Sequence, residues 1–251
     1  MRERIQSGAI AHSLYIYGII IVIVLFFMSQ PLFADRRSYV WTYEYLTMPK
    51  GMAEIEHYLT LKLPDVAEKD IHSWEQRLEV EFGITDRWDI SIYQIFEQKN
   101  GGSFKYSAFQ LRTRYRLFEA GALLFDPLLY FEYKRYADLK APNKLEGKII
   151  LARDIGALNM AFNFIEGFEF GGRESEFESE YTFGASYEFA PAFKLGMELF
   201  GNFKSGDEAN HYMGPTISFA SGKLWYTVGA GLGITDKSND FRIRALLGIH
   251  L

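Results

Sequence analysis

Glu180-Tyr181-Thr182-Phe183-Gly184-Ala185-Ser186-Tyr187-Glu188-Phe189 decides the fold of this chain. Its odd positions hold Tyr, Phe, Ala, Tyr and Phe, and its even positions hold Glu, Thr, Gly, Ser and Glu. A period of two puts successive side chains on opposite faces of a strand, one face in an apolar medium and the other in a polar one. The same alternation recurs along the chain. Ala53, Ile55, Leu59, Leu61 and Leu63 alternate with Glu54, Glu56, Tyr58, Thr60 and Lys62, with His57 as the exception. Leu78, Val80 and Phe82 alternate with Glu79 and Glu81, and Phe109, Leu111 and Tyr115 with Gln110, Arg112 and Arg114.

Turn signals separate these runs, alternately tight (Asp154 to Ala157, Ala190-Pro191-Ala192, Ala220-Ser221-Gly222) and loose (Pro64 to Ile71, Ala137 to Asn143, Lys204 to His211). The spacing predicts strands near 52–64, 73–83, 87–97, 104–117, 127–136, 143–154, 157–170, 177–190, 192–203, 211–220, 223–234 and 240–251. Ten strands stay open beside twelve, because Pro215 falls in one segment and Ile95 interrupts the polar face of another. About 9–11 tilted residues suffice to cross a bilayer, and an even count returns both ends to one side.

Composition narrows the function classes. Of 251 residues 17% are aromatic, which opposes disorder, and the absence of cysteine excludes disulfide scaffolds and thiolate zinc sites. The five histidines show no metal-ligand spacing, and a net charge of −5 disfavours nucleic acid as a partner. Nothing implies a cofactor. At the N-terminus Arg2 and Arg4 precede a 15-residue apolar run, Leu14 to Met28, and the stretch Ser29-Gln30-Pro31-Leu32-Phe33-Ala34 that follows ends on a small residue. That order is expected of a cleaved secretory signal over residues 1–34, the run being short of the roughly 20 residues of a spanning helix. Residues 35–51, with Tyr39, Trp41, Tyr43 and Tyr45 at alternate positions, read as a periplasmic lead or a lumen segment.

With a signal, the strand–turn–strand Glu81-Phe82-Gly83-Ile84-Thr85-Asp86-Arg87-Trp88, the hairpin at 187–199 and the closing strand Phe241 to Leu251, the chain resembles a bacterial outer-membrane β-barrel. The resemblance covers residues 52–251 as an architecture and singles out no one family. It implies an all-β, transmembrane, antiparallel up-and-down barrel in the cell outer membrane, contacting lipid and presented to the barrel-insertion machinery by its last strand. A soluble β-sandwich or lipocalin-like barrel would need polar residues where the outward face here holds Leu, Ile, Phe and Tyr.

Polar faces then point inward, since a charge facing mid-bilayer costs about 2–4 kcal/mol. Simple hairpin registers place Asp89 opposite Arg112, Arg114 opposite Glu132, and Glu132 opposite Lys148. They predict a pore-lining belt of Glu81, Asp89, Arg112, Arg114, Glu132 and Lys148. In the last hairpin Gly229, Gly231 and Gly233 share a face with Arg242 and Arg244, which predicts open space beside two guanidinium groups, suited to carboxylate, phosphate or sulfate. The alternative is that these arginines close the seam against Glu54 and Glu56. The leading functional expectation is a passive, porin-like channel for small polar or anionic solutes. Its rivals are a structural or interaction barrel whose lumen is plugged, and a membrane-embedded hydrolase. For the last, no serine and histidine stand at a spacing that pairs them, and no catalytic or metal-binding residue is assigned.

Overall fold

The computed structural model describes residues 37–251 apart from 69, 100, 173, 174 and 205–207. The signal reading of residues 1–34 lies outside the described residues. Twelve strands follow the alternating segments: β1 (Ala53–Leu63), β2 (Ser73–Thr85), β3 (Trp88–Lys99), β4 (Lys105–Arg116), β5 (Asp126–Tyr136), β6 (Asn143–Ile155), β7 (Leu158–Phe170), β8 (Glu176–Ala190), β9 (Phe193–Asn202), β10 (His211–Ser221), β11 (Leu224–Gly233) and β12 (Phe241–His250). Each pairs antiparallel with its sequence neighbours, and β12 returns to β1, closing the barrel without an edge. The count is twelve rather than ten. Pro215 is accommodated where the β10–β11 ladder is interrupted: Met213–Leu232 and Thr216–Gly229 pair while Gly214 and Pro215 between them do not, and Pro215 keeps its place opposite Met197 on β9.

The two faces of the wall differ as the alternation requires. Leu78 and Val80 on β2 are 44% and 43% exposed, whereas Glu79 between them is 0% exposed. Apolar side chains face out and carboxylates face in, the inverse of a water-soluble protein and the arrangement a bilayer demands. Outward polar residues satisfy one another: the His57 ring meets the Gln76 amide at 2.8 Å, and Ser179 Oγ donates to the Glu166 carboxylate at 2.8 Å. A ladder of rings, Tyr187–Phe189–Phe193–Phe219–Tyr226, runs along the end bearing the two-residue turns, with successive centroids 4.9, 6.0, 4.9 and 5.1 Å apart. Aromatic girdles of this kind sit at membrane–water interfaces.

Four turns at that end hold two residues each, while the connections at the other end are longer, which assigns the periplasmic and extracellular ends respectively. The β4–β5 connection breaks the rule. Residues 117–125 form a long periplasmic turn, pinned where the Asp126 carboxylate accepts the Gly121 N–H at 2.8 Å.

Three hairpin registers differ from the simple ones. Asp89 pairs with Arg114 rather than Arg112, Arg114 with Tyr130 rather than Glu132, and Glu132 with Glu146 rather than Lys148. Each is a two-residue slip, which leaves the inward face unchanged. Inside–outside patterning specifies register only modulo two, and the connection sets the rest. In the first, the bulge between Ile95 and Phe96 supplies one residue of the slip and the β3–β4 turn, which sets Glu97 opposite Lys105, supplies the other; the long 117–125 turn accompanies the second. Ile95 itself is fully buried in the interior, in an apolar cluster with Val40, Tyr58, Tyr93 and Trp225.

Candidate functional site

Residues 37–48 run inside the barrel and bond to inward side chains around its circumference. Arg37 Nη1 donates to Tyr58 Oη on β1 at 2.9 Å, and its carbonyl accepts from Ser218 Oγ on β10 and Thr227 Oγ1 on β11 at 2.8 and 2.6 Å. Tyr39 Oη donates to Asn159 Oδ1 on β7 at 2.9 Å. The Glu198 carboxylate on β9 accepts three consecutive backbone N–H groups, Val40, Trp41 and Thr42, at 3.1, 2.9 and 2.7 Å. Asn163 on β7 reads the next peptide both ways: its Oδ1 accepts the Tyr43 N–H at 2.7 Å and its Nδ2 donates to the Tyr43 carbonyl at 2.9 Å. Asp89 accepts the Met48 N–H at 3.0 Å, and Gly51 N–H then donates to the Gly83 carbonyl at 2.9 Å as the chain leaves toward β1.

The segment is also folded on itself. Ser38 donates from both its N–H and its Oγ to Glu44, each at 2.7 Å, closing a loop that turns Tyr39, Val40 and Trp41 toward the wall. Glycines on the wall make room for it. A Cβ on Gly184 would stand 2.6 Å from the Tyr39 ring, and one on Gly229 would stand 2.5 Å from Val40.

Beside this plug, on β2, β3 and β4, charges pack without water access. Arg112 bridges Glu79 at 3.0 Å and Glu81 at 2.6 Å; Arg114 bridges Asp89 at 2.7 Å and also Glu81. Four of the residues predicted as pore-lining, Glu81, Asp89, Arg112 and Arg114, therefore form one buried network with Glu79 and do not face open lumen. The continuous belt is not formed: Lys148 bridges Glu146 at 2.9 Å, and Glu132 accepts from Tyr130 Oη instead.

Above the plug, at the loop end, lies a cavity of about 510 Å³ lined by eight cationic and six acidic side chains, among them Glu132, Lys148, Arg242 and Arg244. Its floor is Arg37, Val40, Trp41 and Tyr43 of the plug. The space expected beside Arg242 and Arg244 is filled, because Trp41 and Val40 pack over Gly229, and Phe200 lies 2.8 Å from where a Gly231 Cβ would stand. Both arginines have partners, and neither partner is Glu54 or Glu56. Arg244 donates to Thr60 Oγ1 at 2.8 Å and to the Val40 carbonyl at 3.2 Å, and approaches Glu75 at 3.8 Å. Arg242 lies over the Tyr212 ring, 4.1 Å from its centroid. Glu54 is engaged elsewhere, with His250 Nδ1 at 2.8 Å and Trp225 Nε1 at 2.9 Å.

Sequence reasoning missed Glu198, Asn163 and Glu79. Glu198 carried a usable signal: its register partners are Gly184 on β8 and Gly214 on β10. An inward carboxylate flanked by glycines on both sides marks space reserved for donors from another segment.

A closed, edgeless barrel with an apolar exterior, aromatic girdles and a charged interior defines an outer-membrane β-barrel protein. No family model and no curated protein sequence matches the chain. Among solved structures it is similar to an outer membrane channel from Pseudomonas putida F1 (TM-score 0.60, 12% identity, 85% of this chain and 100% of that one). It is also similar to the KdgM porin (TM-score 0.57, 14% identity, 78% and 98%) and to the NanC porin (TM-score 0.53, 10% identity, 79% and 98%). At these identities the likeness is one of fold.

Proposed function

We propose that this protein is a porin-like channel of the outer membrane for small polar or anionic solutes, entered through the loop-end vestibule and held shut by residues 37–48. The observation that carries the reading is the charged cavity of about 510 Å³, which stops on a floor made of one hydrogen-bonded segment rather than on the barrel wall. That volume is in the range of small-molecule sites. Its lining has two more cations than acids, which raises the local concentration of anions in a confined aqueous path. The named functions of the structural neighbours, channels and porins, agree with this reading.

The test is conductance in planar bilayers of the chain from Asp35 and of a variant lacking residues 37–48. The full chain is expected to stay closed with rare openings, and the deletion to conduct steadily, with reversal potentials under a salt gradient that favour anions. Silence from a correctly folded deletion variant would reject the channel. It would favour the second reading, a barrel filled for stability or interaction, to which the buried Glu79–Glu81–Asp89–Arg112–Arg114 network lends support.

Export belongs to the same proposal: residues 1–34 are removed as a signal and the mature protein begins at Asp35. Sequencing the N-terminus of protein taken from outer membranes checks this, and an intact Met1 refutes it.

A further inference from the structure

Charge in the vestibule is sorted by strand. Lys62 on β1 and Arg242 on β12 are direct register partners across the closing seam, and Arg244 is the next inward residue along β12. Like charges placed directly opposite destabilise a strand pair. The acid lining the cavity nearest this corner in register is Glu75, opposite Thr60, and it is committed to Arg77 at 2.7 Å, with Arg244 farther off at 3.8 Å. Lys62 forms no ion pair among the described residues. The seam thus gathers three cations, Lys62, Arg242 and Arg244, around one carboxylate, Glu75, that is shared with Arg77.

Nearly across the barrel, β8 carries the opposite sign. Glu178 and Glu180 both face the cavity, and of the two only Glu178 reaches a cation, Lys144, at 3.5 Å. Glu180 forms no ion pair among the described residues. Between the two walls, the cavity lining on β9 and β10 is neutral at this level: Phe200, Asn202 and Tyr212. Opposite charges therefore face each other across the cavity without touching, separated by a neutral, partly aromatic wall.

Resting on the channel reading and going a step past it, we infer that the vestibule binds a dipolar solute, with its carboxylate, phosphate or sulfate end on Lys62, Arg242 and Arg244 and its ammonium end on Glu178 and Glu180. Such a ligand removes the like-charge opposition at the seam and supplies the cation missing beside Glu180. A simple anion does only the first.

Calorimetric titration of the full chain in detergent, against a detergent blank, compares ε-aminocaproate with caproate, two chains of equal length that differ in the terminal ammonium. The dipolar compound is expected to bind about tenfold more tightly, as one added charge-assisted contact implies. In Glu178→Gln with Glu180→Gln the two ligands should bind alike, with heat-modifiable gel migration showing that the barrel is intact. In Lys62→Gln both ligands should weaken. Equal binding of the two ligands by the unaltered protein, binding of neither, or a preference that survives the double substitution overturns the inference. Because this titration requires no conduction, a channel that conducts and fails it loses the dipolar ligand alone. A chain that passes it and never conducts loses the channel alone.

Discussion

Glu198 shows how one inward side chain organises the interior. Three N–H groups converge on its carboxylate, and hydrogen bonds to a charged group contribute about 1.5–3 kcal/mol each. Glu198→Ala should free the plug without opening the wall, since Gly184 and Gly214 at its flanks ask nothing of the carboxylate. The expected outcome is an open probability raised at least about tenfold, with heat-modifiable migration unchanged. Arg112 acts differently. It holds Glu79 and Glu81 from inside a sealed cluster, so Arg112→Ala leaves buried carboxylates uncompensated. A loss of about 3–5 kcal/mol in barrel stability follows, read as a lower urea midpoint in detergent. Arg242 and Arg244 illustrate the limit of residue-level reading. Their inward direction is plain from Phe241, Ile243 and Ala245 beside them, but their partners come from β1, β2, β10 and the plug, elements far away in sequence.

At the level of elements, the strands are legible because each must satisfy two media at once. Parity along β6 sends Leu145, Ile149 and Ile155 outward and Lys144, Glu146 and Lys148 inward, and no register slip of two alters that. Depth along a strand then has a measurable consequence. Ile149→Arg, at the middle of β6, should cost about 2–4 kcal/mol in folding into lipid vesicles, while Ile155→Arg at its periplasmic end should cost about 0–1 kcal/mol. Equal costs at both positions would contradict the membrane placement. Which residues meet across a hairpin is less legible, because a nine-residue turn at 117–125 slides whole rows of partners by two while keeping every residue on its own face, and the one-residue bulge at Ile95/Phe96 sets Tyr106 outward and Ala108 inward on the same strand.

For the whole molecule, closure turns a sheet with two faces into an outside and an inside, and the inside then needs filling. The plug fills the periplasmic half and leaves the vestibule above it, so the segment preceding the first strand makes the floor of the candidate site. By itself the sequence determined the class of fold, the run of alternating segments with ten or twelve strands open, the face most side chains take and the charged character of the interior. These follow from local periodicity, which survives any two-residue slip and any arrangement of loops. Only the tertiary structure decided that residues 37–48 enter the lumen, that Glu198 receives them, that Arg112 and Arg114 are sealed with Glu79, Glu81 and Asp89, and that Lys62 stands opposite Arg242. Those contacts join residues as much as 204 positions apart. They depend on where the barrel closes and on what volume its side chains leave inside, and neither is a property of any stretch of chain taken alone.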